Sequence, residues 1–139
     1  MAGGLEGNSE CEKMTLKNLL LVAVGGGLGS LLRYLCQKFI PTANPGDFPF
    51  GTFIVNVLGC FFIGLIYGIA SKSNALTQDW ILLLTTGFCG GFTTFSAFSY
   101  ENINLMRHGK YLYPALYISG SVILGLGATF LGLLAMKSD

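Results

Sequence analysis

Three residues at helical spacing give one segment of the chain a polar face. Thr52, Asn56 and Gly59 follow one another at intervals of four and three residues, so a helix would place a hydroxyl, an amide and a gap on one side. A primary amide has four hydrogen-bonding sites and is costly to bury when they are unused. This face therefore needs a polar neighbour.

A second polar stripe occurs near the C-terminus, with a residue every four positions. Its members are Tyr117, Ser121, Gly125 and Thr129. Such a stripe could line a path for a solute, or its hydroxyls could bond to neighbouring helices. Gly25 and Gly29, and likewise Gly64 and Gly68, have the four-residue spacing of small residues that let two helices approach closely.

The most distinctive segment is GFCGGFTTFSAFS at residues 87–99. Its adjacent glycines, Gly90 and Gly91, followed by Thr93 and Thr94, are poor continuations of a helix and predict a break that leaves carbonyl oxygens unpaired. Within a membrane such a break has to be satisfied by protein or by an ion. After the predicted break, Phe95 and Phe98 share one face, and a serine follows each of them.

The elements that carry these residues are predicted to be four transmembrane helices. Only 11% of the residues are charged, 52% are hydrophobic and the mean hydropathy is +0.61. Residues 48–71, 80–100 and 111–136 contain no Asp, Glu, Lys or Arg. Each stretch exceeds the roughly 20 residues that span a bilayer. Residues 16–36 form a fourth candidate, with Lys17 and Arg33 near its ends. We therefore expect an all-α integral membrane protein whose third helix is broken at mid-membrane.

The remaining chain is short. Residues 1–13 are polar and glycine-rich, so we expect a disordered leader, and Met14 could itself start a native protein. Residues 14–139 are expected to form a single transmembrane domain, because the connections between the predicted helices are too short to hold a further one.

Several classes of function are excluded by the residue types. The net charge of +1 offers no basic patch for nucleic acid. Apart from Lys17 at the margin of the first span, the predicted spans contain no Asp, Lys or His for acid and base chemistry, so we expect no enzyme activity. Glu101 lies just past the third neutral stretch, and no carboxylate or His lies at a helix centre to carry a proton. This absence favours a passive path that contains no carboxylate.

Three motifs resemble those of the Fluc (CrcB) family of fluoride channels: GGGLGSLLRY at residues 25–34, GTFIVNVLG at 51–59 and the segment at 87–99. The resemblance covers nearly everything after Met14. It implies a fluoride-selective channel in the cell (inner) membrane that exports fluoride passively and so relieves fluoride toxicity. It also implies an antiparallel, dual-topology homodimer with fluoride paths along the interface.

The resemblance also implies roles for particular residues. Phe95 and Phe98 match the pore phenylalanines and Asn56 matches the pore asparagine. The implied ion pathway comprises Thr52, Asn56, Phe95, Ser96, Phe98, Ser99, Tyr117, Ser121 and Thr129.

A structural sodium ion is a further implication of the resemblance. The main-chain carbonyls of Gly90 and Thr93 are expected to hold it at the two-fold axis. Arg33 matches an arginine that could anchor the first helix or attract anions at a vestibule. Gly125 stands where many family members carry a serine, which could weaken one step of the hydroxyl track.

Two alternatives belong to other classes. A small dual-topology multidrug-type antiporter also has four short helices, but it has a glutamate in the first helix, and residues 18–32 contain none. A non-transporting membrane subunit would explain the hydrophobicity and the glycine pairs. It would leave the Asn56 face and the broken third helix without a role.

Overall fold

The computed structural model describes residues 3–42, 44, 46–72 and 76–136, with side chains described from Met14 onward. Four helical spans are long and apolar enough to cross a membrane. They are Met14–Phe39, Phe50–Lys72, Gln78–Arg107 and Leu112–Ala135. The predicted number of transmembrane helices and the all-α class are confirmed.

The spans divide into six α-helices and one π-helical segment. These are α1 (Gly3–Phe39), α2 (Phe50–Lys72), α3 (Gln78–Leu82), the π-helical segment (Leu83–Cys89), α4 (Gly90–Phe92), α5 (Phe95–Arg107) and α6 (Leu112–Ala135). Helix α1 begins at Gly3, within the leader for which the sequence predicts disorder. The division of the chain into a leader and a membrane domain stays a prediction.

Helices α2 and α6 form the most extensive contact between elements, and glycine makes it close. A Cβ added to Gly64 would collide with the carbonyl group of Thr129 on α6. On the opposing helix, a Cβ at Gly132 would lie 2.8 Å from the backbone nitrogen of Leu65. The packing role expected for Gly64 is therefore confirmed, because the two backbones touch where side chains are missing.

Helix α1 packs in the same way against the third span. A Cβ at Gly25 would lie 2.9 Å from the backbone nitrogen of Phe88, and one at Gly29 would lie 2.8 Å from that of Phe92. Both distances are shorter than van der Waals contact. The four-residue spacing of Gly25 and Gly29 thus marks a helix contact, as predicted.

Ion pairs join the spans at both ends of the bundle. Lys17 at the start of α1 pairs with Asp79 in α3. At the other end, Lys110 lies 3.6 Å from Asp47 in the connection between α1 and α2. Such exposed pairs contribute little to stability. They place the starts of the first and third spans at one end and the connections that follow these spans at the other, so these two spans run in the same direction.

The third span is interrupted, but not at the glycine pair. Gly90 has helical angles (φ −61°, ψ −39°), whereas Thr93 (φ −82°, ψ 160°) and Thr94 (φ −151°, ψ 115°) are extended. The predicted break of the third helix is confirmed, but of the four residues expected to form it only Thr93 and Thr94 do so, and the glycines Gly90 and Gly91 stay helical. Gly91 serves close packing instead, since a Cβ there would lie 2.8 Å from the Cα of Gly26 on α1.

The π-helical turns that precede the break are not predicted by the sequence. They begin directly after α3, and within them the Thr85 hydroxyl donates to the Ile81 carbonyl over 2.7 Å. This stretch contains Gly87 and Phe88, which lie against α1. Widened turns of this kind are frequent at functional sites.

Candidate functional site

Asn56 on α2 reaches across to the break in the third span. Its Oδ1 accepts a hydrogen bond from the backbone nitrogen of Thr94 over 2.8 Å, and its Nδ2 donates to the carbonyl of Thr94 over 3.2 Å. The polar neighbour that the sequence demands for Asn56 is thus the extended backbone at Thr94. The bond to the Thr94 carbonyl uses one of the two Nδ2 hydrogens of Asn56.

The two hydrogen bonds between Asn56 and Thr94 change the hydrogen bonding of the carbonyls before the break. In a continuous helix the amide of Thr94 would bond to the carbonyl of Gly90, four residues earlier. Here that amide is committed to Asn56. Side chains of α1 reach two neighbouring carbonyls: Ser30 donates to Gly91 over 3.3 Å and Arg33 donates to Thr93 over 3.4 Å.

The hydroxyls that follow the break have local partners. Thr94 accepts a bond from the backbone nitrogen of Ala97 over 3.3 Å, which caps the start of α5, and it lies 3.3 Å from the hydroxyl of Ser96. Ser99 donates to the carbonyl of Phe95 over 2.9 Å. Of the two predicted pathway serines on α5, Ser96 is exposed and adjoins the cap, whereas Ser99 bonds within its own helix.

The two phenylalanines predicted to line the path do lie together. Their ring centroids are 5.7 Å apart, with 35° between the planes. Phe98 also meets Tyr117 on α6, with centroids 4.8 Å apart and an edge-to-face angle of 67°. Phe95 is 79% exposed, so most of its ring is not covered by other residues of the chain.

A carboxylate joins two of the predicted pathway residues. Glu101 accepts a bond from Thr52 over 2.6 Å on one oxygen and from the Tyr117 hydroxyl over 2.8 Å on the other. Thr52 and Tyr117 are both buried. The prediction that no carboxylate lies along this set of residues is therefore wrong. The break lets the third span continue to Arg107, which brings Glu101 inside it.

Gln37, which lies outside the three sequence motifs, extends the same network. Its Nε2 donates to the Thr52 hydroxyl over 3.0 Å. A signal for Glu101 was present in the sequence, because positions 95, 98 and 101 recur every three residues on one helix face. The signal for Gln37 was absent, since its partner is 15 residues away on another helix.

Two cavities meet at this network. The inner cavity has a volume of about 280 Å³, and the outer cavity, of about 420 Å³, opens towards the loop between α1 and α2. Thr42 and Glu101 line both of them. The polar cluster thus borders both cavities.

Asp47 lines the outer cavity. Its Oδ2 accepts bonds from the Nδ2 of Asn44 over 3.0 Å and from its backbone nitrogen over 3.1 Å. The side-chain bond from Asn44 lowers the pKa of Asp47, and the charge of Lys110 acts in the same direction, whereas partial burial opposes both. The carboxylate therefore stays ionised at the end of the bundle.

The remaining two hydroxyls of the predicted track differ from each other. The Ser121 oxygen is buried and has no hydrogen-bond partner within the part of the chain that the structure describes. Thr129 donates to the carbonyls of Cys60 and Gly125, each over 3.1 Å. The structure therefore uses Thr129 in the contact between α2 and α6. It does not bond Thr129 to the Glu101 network.

Four apolar spans, an interrupted third span and a polar cluster beside the interruption define an integral membrane protein built around an intramembrane polar site. The family described as CrcB-like protein, Camphor Resistance (CrcB), matches residues 20–133. A relative from Chlorobaculum tepidum named fluoride-specific ion channel FluC is 51% identical over 124 residues, covering 89% of this chain and 98% of its own. Another of the same name, from Flavobacterium psychrophilum, is 48% identical over 122 residues, covering 88% and 98%.

The chain belongs to the CrcB family. The family resemblance found in its three motifs is confirmed. The four spans and the membership together make it a multi-pass protein of the cell membrane.

Proposed function

We propose that the protein is a fluoride-selective channel that lets fluoride leave the cell down its gradient and so relieves fluoride toxicity. The observation that carries this proposal is the interrupted third span, held open by Asn56 beside Phe95 and Phe98. The relatives named as fluoride-specific ion channels support it.

The chemistry of the site suits a small, strongly hydrated anion. Such an ion needs donors to replace its water, and too strong a site would trap it. Asn56 has a second Nδ2 hydrogen, and the buried Ser121 hydroxyl has no described partner to take its hydrogen. Phenylalanine edges add partial positive charge without a fixed cation. The Glu101 charge is dispersed by the hydroxyls that bond to it.

The active assembly we propose is an antiparallel homodimer with the pathways along its interface. In one protomer Gly90, Phe95 and Ser96 are exposed around the middle of a span. A polar break facing lipid would be unfavourable, since the bilayer offers no hydrogen bonds. A second copy covering this face would remove that penalty.

A sodium ion at the two-fold axis is also part of the proposal. The carbonyl of Gly90 loses its usual helical donor to Asn56, which suits a cation ligand. The carbonyl of Thr93 already accepts a bond from Arg33, but a second lone pair remains. Two such carbonyls from each protomer would form an uncharged oxygen site suited to a monovalent cation. When bound, that ion supplies positive charge between the pathways, which favours anions.

The test of function is fluoride efflux from liposomes that contain the purified protein. Vesicles loaded with potassium fluoride, with a potassium ionophore to carry the counter-charge, should release fluoride at equal internal and external pH. Vesicles loaded with chloride should release little anion. Fluoride release only under a proton gradient would indicate an antiporter, and no release at all would indicate a non-transporting subunit.

A further inference from the structure

Gln37 connects the end of α1 to the carboxylate of Glu101 through one hydroxyl. Its Nε2 lies 3.0 Å from the Thr52 oxygen, and that oxygen lies 2.6 Å from Glu101 Oε1. Gln37 also lines the inner cavity with both of these residues. No motif or pathway assignment includes it.

The direction of each hydrogen bond in this chain follows from the chemistry of its end. An ionised carboxylate can only accept, so the single Thr52 hydrogen goes to Glu101. The Thr52 oxygen is then an acceptor towards Gln37, which must present its amide nitrogen. On the other carboxylate oxygen, Tyr117 supplies its hydrogen in the same way. Each oxygen of Glu101 therefore accepts a hydrogen bond from one hydroxyl group.

We propose that Gln37 is a positioning residue of the ion pathway, which holds the Thr52 hydroxyl towards Glu101 and thereby keeps the carboxylate fixed between Thr52 and Tyr117. This inference rests on the proposed fluoride channel. Without the amide of Gln37, the Thr52 hydroxyl can rotate towards the inner cavity. Glu101 Oε1 is then released, and its negative charge opposes the entry of an anion there.

The first test compares two substitutions of Gln37 in the liposome assay. Gln37→Met keeps the length of the side chain but cannot donate, and fluoride flux should fall about tenfold, the equivalent of one lost hydrogen bond. Gln37→Glu can only accept when ionised, so it competes for the Thr52 hydrogen. Its flux should fall further and recover as the pH is lowered below about 5, where a carboxyl gains a proton.

Leu35→Met is the matched control, because Leu35 lies on the same helix, is 44% exposed and can make no side-chain hydrogen bond. It should conduct like the parent. Size-exclusion chromatography checks that each variant is folded. Parental flux in both Gln37 variants would overturn the proposal, as would an equal loss in Leu35→Met.

A double-mutant cycle separates positioning from packing. If Gln37 acts through the Thr52 hydroxyl, Gln37→Met should change flux less than about twofold in a Thr52→Val background, where no hydroxyl remains to position. The same tenfold loss in both backgrounds would show that Gln37 acts independently of Thr52 and would contradict the proposal.

A second readout does not depend on transport. The sequence contains only two glutamines, Gln37 and Gln78, so nitrogen-15 labelling of glutamine gives two side-chain amides. Glu101→Leu, which adds no further glutamine, should shift the Gln37 amide signal, because the Thr52 hydroxyl relays the change, and should leave Gln78 unmoved. An unmoved Gln37 signal would overturn the proposal even if the parent passes no fluoride. A shifted signal in a parent without flux would mean that the proposed function fails while the positioning holds.

Discussion

Thr94 gives both of its backbone polar groups to the side chain of Asn56, at 2.8 Å through its nitrogen and 3.2 Å through its carbonyl. The two residues are 38 positions apart in the chain. Asn56, which the sequence predicts to be a pore residue, therefore also holds the extended backbone at the break. Its substitution should affect structure and conduction together.

Asn56→Leu should reduce fluoride flux by at least about tenfold, because a donor to the anion is lost. It also leaves the backbone groups of Thr94 without partners, at about 1–3 kcal/mol each, so the melting temperature should fall as well. Efflux and thermal unfolding in detergent measure the two effects. Leu58→Met is the control for both measurements, because Leu58 lies two residues after Asn56 on the same helix and is 41% exposed. Parental flux from folded Asn56→Leu protein would contradict the pathway assignment.

Phe95→Ile and Phe98→Ile should each lower fluoride flux by about threefold to tenfold. Isoleucine keeps the bulk and the apolar character but lacks the positive ring edge, whose interactions are worth about 0.5–1.5 kcal/mol. The liposome assay is the measurement. Phe130→Ile on α6, 61% exposed, is the matched control and should conduct normally. If all three variants conduct like the parent, the rings of Phe95 and Phe98 serve packing alone.

Gly91→Ala should destabilise the protein by about 1–3 kcal/mol, because its methyl group would lie 2.8 Å from the Cα of Gly26. Gly90→Ala should be tolerated by the protomer fold, since the nearest atom, the carbonyl oxygen of Thr85, would be 3.8 Å away. The comparison of their melting temperatures tests the finding that Gly91 packs against α1 and that the glycine pair does not break the helix. Equal stability of the two variants would argue against it.

The chain should insert in both orientations. The order of the four spans in the sequence predicts that Lys13, Lys17, Lys72 and Lys137 flank one side and that Arg33, Lys38, Arg107 and Lys110 flank the other. Four against four gives no orienting bias, and insertion follows that bias. Single cysteines placed in each loop should be labelled from both sides of the membrane. Labelling from one side only would exclude an antiparallel homodimer.

Removing Lys or Arg residues from one side should make the chain insert mainly in a single orientation. Replacing Lys110 and Arg107 with glutamine removes two charges from one side, so the cysteine in each loop should then label mainly from one face. Fluoride flux should fall, because antiparallel partners become scarce. Unchanged flux from a singly oriented population would contradict the proposed assembly.

The sequence by itself determined the membrane class, the number of spans and the glycine contacts of α1 with the third span. These follow from local rules: lipid excludes charge over about 20 residues, and small residues four apart lie on one helix face. The pairing of Phe95 with Phe98 is local in the same sense, since both lie on one turn of α5.

The tertiary structure was needed to show which residues within 90–94 form the break and which residues share the polar cluster beside it. The break falls at Thr93 and Thr94 because Asn56, on another helix, satisfies the backbone there. Gln37, Thr52 and Glu101 meet because three helices converge on them. A hydrogen bond needs two partners in one place, and helix packing alone brings together groups that are far apart in the chain.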